Sequence, residues 1–233
     1  YPLLLNRLTS DGDIAVFRKD NLTVGSIGTG YGDIYIGSGH VGIGFNDSGS
    51  EILPYSSTDG AWKDGHTDLG TSSYRFKNLF LSGGVYLGGT AAANLLDDYE
   101  EGTWTPVLAD AATGGNVGSA TFQYSNYTKV GNKVTLATQM SNIDTTGMTS
   151  NLALYCRGLP FLSAIQLSYG AANPDNLNFQ STRTGVCVQV SASDTWATFN
   201  AYGSGISDTG IDVSDVTSGT SDLHWSITYF TNA

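Results

Sequence analysis

The stretch DLGTSSYRFKNLFLSGGVYLGG, from Asp68 to Gly89, is the strongest indication of the architecture of this chain. It reads as two short strands on either side of a glycine pair, and the strand pattern is apolar on both of its faces. One face carries aromatic residues and the other carries leucines: Tyr74, Phe76 and Phe80, then Leu79 and Leu81. A surface strand needs only one apolar face, so something must cover both faces of this stretch.

The residues before this stretch repeat a short strand followed by a glycine turn, from Asp11 onward. In VGIGF, residues 41–45, the apolar side chains share one face and two glycines occupy the other, which marks a bend or the close approach of another backbone. Such units form a thin rod with little core, so copies of the same chain are the expected cover. The pattern leaves the number of copies open. A monomeric β-solenoid is the alternative, although the units are irregular in length.

The composition favours an ordered protein that is rich in β-structure. Of the 233 residues, 30 are glycine, 40% are hydrophobic and 13% are charged. Average proteins have about 7% glycine and about 25% charged residues, and disordered chains carry more charge rather than less. The length fits two ordinary domains. Because the chain begins at Tyr1 rather than methionine, we expect a processed or truncated fragment.

Charge, hydropathy and cysteine content exclude several classes of partner. The formal net charge is −11, from ten Lys and Arg against 21 Asp and Glu, so a phosphate backbone would be repelled and we expect no nucleic-acid partner. No apolar stretch reaches the roughly 20 residues that span a bilayer, so we expect no membrane insertion. Cys156 and Cys187 stand on opposite sides of their local strand patterns, which predicts two free thiols.

Three regions follow from these patterns, and the expected fold is all-β. Residues 1–90 form the glycine-rich β-repeat stalk. Residues 91–104, AAANLLDDYEEGTW, contain good helix formers and a terminal glycine, so they predict a short helical connector. Residues 105–233 contain about seven longer strands separated by polar turns, which is typical of a β-sandwich, here a jelly-roll-like knob.

No motif in the chain predicts catalysis, a cofactor or a metal site. The patterns G-x-S-x-G, H-E-x-x-H and the P-loop do not occur. Four aspartates could supply the carboxylate pair of a glycosidase, but turns rich in Ser, Thr and Gly favour Asp through local hydrogen bonding alone. They are Asp194, Asp208, Asp212 and Asp215. The three histidines are scattered, and His40 is the candidate if a metal lies on a symmetry axis.

Two long polar loops are the places where we expect a binding surface. They are Gly170 to Gly185 and Asn200 to Asp215, and loops between strands carry function disproportionately. Exposed aromatic rings beside amides and hydroxyls suit a sugar, and the chain holds 13 tyrosines and four tryptophans. The candidate receptor-binding residues are Asn176, Asn178, Phe179, Arg183 and Tyr202. The alternative is that each of them caps the sandwich or packs between chains.

Three stretches stand out together. They are DLGTSSYRFKNLFLSGGVYLGGTAAANLLDDYEEGTWTPVL, then YSNYTKVGNKVTLATQM leading to LYCRGLPF, and the terminal SITYFTNA. Their combination resembles the distal part of tail fibre proteins of tailed bacteriophages, especially those of marine bacteria, over about residues 68–233. The resemblance implies a homotrimer with an interwoven β-stalk, a short junction and a C-terminal knob that contacts the host. Related fibres often end in a self-cleaving chaperone domain, and this sequence contains none.

The resemblance also implies a function and a location. We expect a tail fibre segment of the virion, assembled in the host cytoplasm, that joins other virion tail proteins and attaches to a bacterial surface glycan or protein without catalysis. The first alternative is a head or collar fibre, or a spacer, without receptor binding. The second is a tailspike that depolymerises polysaccharide. A secreted bacterial adhesin also fits the composition.

Overall fold

The computed structural model describes residues 3–178 and 181–232. Within these residues the regular structure consists of β-strands and two three-residue 3-10 turns, without an α-helix, which confirms the all-β class. None of these residues forms a helix long and apolar enough to cross a bilayer. The chain divides into two compact units, one up to Phe80 and one from Leu81 onward.

The first unit is a six-stranded antiparallel meander, strongly curled, in which each strand pairs with the next one along the chain. Its strands are β1 (Gly12–Lys19), β2 (Leu22–Gly30), β3 (Asp33–Ser38), β4 (Val41–Asn46), β5 (Glu51–Ser56) and β6 (Ala61–Trp62). The first hairpin turns on Asp20 and Asn21, whose φ angles of 51° and 65° are those of a two-residue type I′ turn.

The concave face of this sheet is an aromatic cluster that lies on glycines. The rings of Tyr35 and Tyr55 stack with centroids 4.5 Å apart, and the ring of Trp62 meets Tyr55 edge-on at 5.1 Å. A Cβ atom on Gly30 would collide with the ring of Tyr55, and one on Gly44 would collide with the ring of Trp62. Gly30 and Gly44 therefore admit an aromatic ring from another strand.

The convex face of the same sheet is apolar and exposed. A row of side chains crosses four strands in register: Ile27, Ile36, Ile43 and Pro54. In this row Ile36 and Ile43 are exposed and the two outer members are half-buried. The face also carries exposed apolar side chains at Ile34, Val41, Phe45 and Ile52. A solvated sheet face is normally polar, so this face has the composition of a surface that another layer covers.

Residues 63–84 have no regular secondary structure. Their apolar side chains point into solvent, with Tyr74 82% exposed and Phe80 88% exposed. The strand predicted before the glycine pair does not form in the single chain, because no described segment of that chain pairs with it. The strand predicted after the pair forms only as β7 (Val85–Tyr86), which pairs with β8 (Leu95–Leu96).

The helical connector predicted over residues 91–104 is wrong. A single 3-10 turn, Ala92–Asn94, is followed by β8 and by β9 (Tyr99–Thr103). Two acidic residues of this segment have partners in a later strand: Asp98 forms an ion pair with Lys129, and Glu100 accepts a hydrogen bond from the hydroxyl of Tyr127. These cross-strand contacts override local helix propensity, which tertiary context commonly does.

The second unit is built on one ten-stranded antiparallel sheet. Besides β9 it contains β10 (Val107–Ala109), β11 (Ser119–Val130), β12 (Lys133–Asp144), β13 (Tyr155–Arg157), β14 (Ser168–Asp175), β15 (Gly185–Val190), β16 (Trp196–Gly203), β17 (Ile206–Gly210) and β18 (Ser221–Phe230). The order is β10-β13-β16-β15-β14-β18-β12-β11-β9, with β17 paired to β16. The strands therefore do not form the expected two-sheet sandwich: the single sheet curls into a half-barrel and covers its own concave face.

The core of the second unit fills that concave face. Strand β18 shows the pattern clearly, since Leu223, Trp225, Ile227 and Tyr229 are buried while alternate residues face outward. The ring of Trp225 meets Trp104 and Phe199 edge-on, at centroid distances of 5.7 and 5.8 Å. Both cysteines are free thiols, as predicted. They are Cys156, which is buried in this core, and Cys187, which is half-buried.

Candidate functional site

The first of the two predicted binding loops, between β14 and β15, folds against the residues that precede β18. The Asn176 side chain donates a hydrogen bond to the carbonyl of Thr220 at 3.3 Å, and the backbone N–H of Asn178 donates to the carbonyl of Asp215 at 2.7 Å. Asn176 has a left-handed φ of 55°, a conformation that Asn tolerates. Both side chains are exposed, and Phe179 lies outside the described residues.

Arg183 and Tyr202 come together at the other arm of this loop. The backbone N–H of Thr184 donates to the carbonyl of Tyr202 at 2.8 Å, and the Tyr202 side chain is 47% exposed. The Arg183 guanidinium donates to the carbonyls of Ala201 and Ser207, and also to the Thr209 hydroxyl. The Arg183 guanidinium is thus hydrogen-bonded to the β16–β17 hairpin. Of these two side chains, Tyr202 is therefore the one more available to contact a ligand.

Two carboxylates in loops of the second unit accept hydrogen bonds from backbone and side-chain N–H groups. Asp110 accepts hydrogen bonds from the N–H groups of Thr149 and Asn116 and from the Asn116 amide, which together lower its pKa to about 2, the Thr149 N–H being the largest cause. Asp215 accepts a bond from the N–H of Asp212 at 2.9 Å and so caps a 3-10 turn, Val213–Asp215. Both carboxylates therefore stabilise loop conformations through hydrogen bonds.

His40 belongs to a small polar cluster at the surface of the first unit. Its Nδ1 lies 3.2 Å from Asp59, which also accepts hydrogen bonds from Lys63 at 2.7 Å and from the Ser56 hydroxyl at 2.8 Å. Lys63 is the largest cause of an Asp59 pKa well below its usual range. Across the described residues, no group of three or more His, Cys, Asp or Glu side chains is arranged to hold a metal ion.

A shallow trough of about 450 Å³ lies on the outer face of the ten-stranded sheet. Its floor is one cross-strand row of small residues, Ala171, Ser226 and Ala137. The next row along the strands is longer and polar: Asn173, His224 and Gln139. The row on the opposite side pairs Thr228 with Thr135. We call this surface, with Tyr124 at its end, the outer trough.

Tyr124 stands at the end of the outer trough because of a β-bulge. The register between β11 and β12 shifts between Gln123 and Asn126, and Tyr124 takes a left-handed φ of 53°. A bulge redirects side chains, and here the Tyr124 ring is 71% exposed. A non-glycine residue held in this conformation costs about 1–3 kcal/mol, and such strain is concentrated at functional sites.

Sequence reasoning missed the outer trough. Simple alternation places Tyr124 on the same face as Phe122, which is partly buried against the core. The β-bulge turns Tyr124 to the other face, and no glycine marks the bulge in the sequence. The usable signal was the pair of alanines, Ala137 and Ala171, at outward positions of strands that otherwise carry larger side chains outward.

No protein-family model, curated protein or solved structure matches the chain.

Proposed function

We propose that this chain is a segment of a homotrimeric bacteriophage tail fibre that attaches to a bacterial surface without catalysis. The observation that carries the proposal is the exposed apolar stretch of residues 69–81. Five of its large side chains are more than 60% exposed in the single chain: Leu69, Tyr74, Phe76, Leu79 and Phe80. Monomeric proteins rarely expose such contiguous apolar surface, so this stretch is suited to burial between copies.

Two features support self-association over a single solvated chain. Full burial of each aromatic or leucine side chain contributes about 1.5–3 kcal/mol, so the stretch offers several times the stabilisation of one core residue. The convex face of the first sheet adds a second unpartnered apolar surface through Ile36 and Ile43. The choice of three copies comes from the resemblance to tail fibres.

The attachment role is supported by the outward surfaces of the second unit. Tyr202 and the strained Tyr124 both present exposed aromatic rings, and Tyr124 lies beside the amides of Gln139 and Asn173. We propose a bacterial surface glycan or protein as the receptor and other virion tail proteins as the attachment point. Of the four aspartates weighed for hydrolysis, Asp215 is engaged in capping a 3-10 turn.

One observation favours a second candidate, a spacer or a head or collar fibre without receptor binding. Three of the predicted receptor residues are engaged within the chain: Asn176, Asn178 and Arg183 hold loops through hydrogen bonds. A purely structural knob would use its loops in this way.

The test combines the mass of the protein with its binding to cells. Light scattering should give about three times the chain mass of 24.5 kDa. Fluorescently labelled protein, added to a panel of marine bacterial isolates, should bind at least one isolate saturably and be displaced by unlabelled protein. A stable monomer would overturn the fibre. A trimer that binds none of the isolates would favour the spacer.

A further inference from the structure

The floor of the outer trough is flat and low because its residues are small. Ala171, Ser226 and Ala137 lie side by side on three adjacent strands, where larger β-formers are usual. Longer side chains flank them in the row of Asn173, His224 and Gln139. At about 450 Å³ the trough falls within the range of small-molecule sites, so it is large enough for a few sugar rings.

The trough offers both donors and acceptors to a ligand. Neither the Asn173 nor the Gln139 amide is hydrogen-bonded to another described residue, so each presents one acceptor and one donor group. The Ser226 hydroxyl on the floor adds a donor and acceptor, and His224 Nε2 lies 3.3 Å from the Ser141 hydroxyl. Sugar hydroxyls also donate and accept, so mixed groups of this kind suit them.

Tyr124 supplies an aromatic platform at the end of the trough. The C–H groups of a sugar ring pack against aromatic faces, and a tyrosine combines such a face with a polar hydroxyl. The left-handed backbone at Tyr124 keeps the ring exposed beside the floor, and no buried contact of that ring repays the strained conformation. Contact between the Tyr124 ring and a ligand would offset the cost of this strained conformation.

The charge around the trough disfavours an anionic ligand. The described residues that line it contain no carboxylate, lysine or arginine, although the chain carries 21 acidic residues. Asp175 and Asp222 face each other in the next row beyond Asn173 and His224. These two carboxylates would repel an anionic polysaccharide and tolerate a neutral one.

From these observations we propose that the outer trough binds a neutral oligosaccharide. The ring of Tyr124 stacks on one sugar, the alanine floor lets the chain of sugars lie close to the sheet, and Asn173, Gln139 and Ser226 bond its hydroxyls. This assignment rests on the proposed attachment function and places it on the sheet face rather than in the loops around Tyr202.

The experiment is calorimetric titration of the intact protein with three neutral hexasaccharides, maltohexaose, mannohexaose and chitohexaose, and with anionic hexagalacturonic acid. At least one neutral probe should bind and the anionic probe should not. Tyr124→Gly removes the ring and relaxes the backbone, and Ala171→Leu fills the floor, so each should weaken binding about tenfold or more. Ile165→Ala, at an exposed side chain that does not line the trough, is the control and should change the affinity less than twofold. Tyr202→Ala tests whether the loops hold the site instead.

Five results would overturn the proposal. Loss of sugar binding in Tyr202→Ala but not in Tyr124→Gly would move the site to the loops. Binding of hexagalacturonic acid alone would reverse the charge assignment. A change of mass by light scattering in Ala171→Leu would show that a second copy of the chain covers the trough. Binding to cells without binding to any neutral probe would refute the trough site while leaving the attachment function intact, whereas failure to bind cells would remove both.

Discussion

Replacing Phe80 by aspartate tests whether copies of the chain bury the stretch between Leu69 and Leu81. Phe80 is 88% exposed in the single chain, so the substitution removes almost no contact within that chain. If three copies bury this ring, each loses the about 1.5–3 kcal/mol that burial of a phenylalanine contributes, or about 4.5–9 kcal/mol for the trimer. A carboxylate buried in its place adds a desolvation cost. The association constant should therefore fall by about a thousandfold or more.

The assay is light scattering over a dilution series, with circular dichroism as the check on folding. The unsubstituted protein should stay trimeric where Phe80→Asp dissociates, and the dichroism spectra of the folded units should agree. Ile165→Asp is the matched control, because Ile165 is similarly exposed at 84% but lies outside the stretch, between β13 and β14. The reasoning is refuted if Phe80→Asp has the same mass as the parent protein at every concentration, or if both substitutions dissociate it equally.

Three further predictions concern the two units separately. Gly30→Ala should destabilise the first unit by about 1–3 kcal/mol in calorimetric unfolding, because its Cβ would collide with the buried ring of Tyr55, whereas Gly83→Ala meets no atom and should be neutral. The folded pKa of Asp110, about 2, lies below its ordinary value of 3.8, so the stability it contributes is complete above about pH 4 and lost as the pH falls through about 2. Asp110→Asn should remove that part of the acid sensitivity in parallel pH titrations of unfolding, and an unchanged profile would contradict the assignment. Burial raises the pKa of both thiols, so in the native protein Ellman's reagent should react slowly with Cys187 and not with Cys156, which should react only in denaturant. Rapid reaction of two thiols in the native protein would contradict the burial of Cys156.

Strand content could be predicted from the sequence because it is encoded locally. The alternation of Leu223, Trp225 and Ile227 identifies both the strand and its buried face. The alternating glycines of VGIGF predict close approach, and this is confirmed: backbone atoms of the neighbouring strands lie against Gly42, and the ring of Trp62 lies against Gly44. Alternation states which side of a strand is apolar, and it does not state which strands pair.

The rest depended on contacts between residues far apart in the chain. The segment around Glu100 has helix-forming neighbours, but its pairing with Tyr127 and Lys129 is visible only once β9 and β11 are adjacent. One curled sheet and two stacked sheets produce the same alternation, so the sandwich was a reasonable and wrong inference. The bulge at Tyr124 is a register shift against β12, and no local residue pattern predicts it.

The strand order of the second unit bears on how the chain folds as it is synthesised. In the first unit every strand pairs with its immediate successor, so each hairpin closes a short loop and can form soon after it leaves the ribosome. In the second unit β12 must wait for β18, since Lys133 pairs with Phe230 almost a hundred residues later. Because β18 lies between β14 and β12 at the middle of the sheet, the growing chain holds two open strand edges until that last strand arrives. Synthesis thus leaves the second unit exposed to wrong strand pairing far longer than the first.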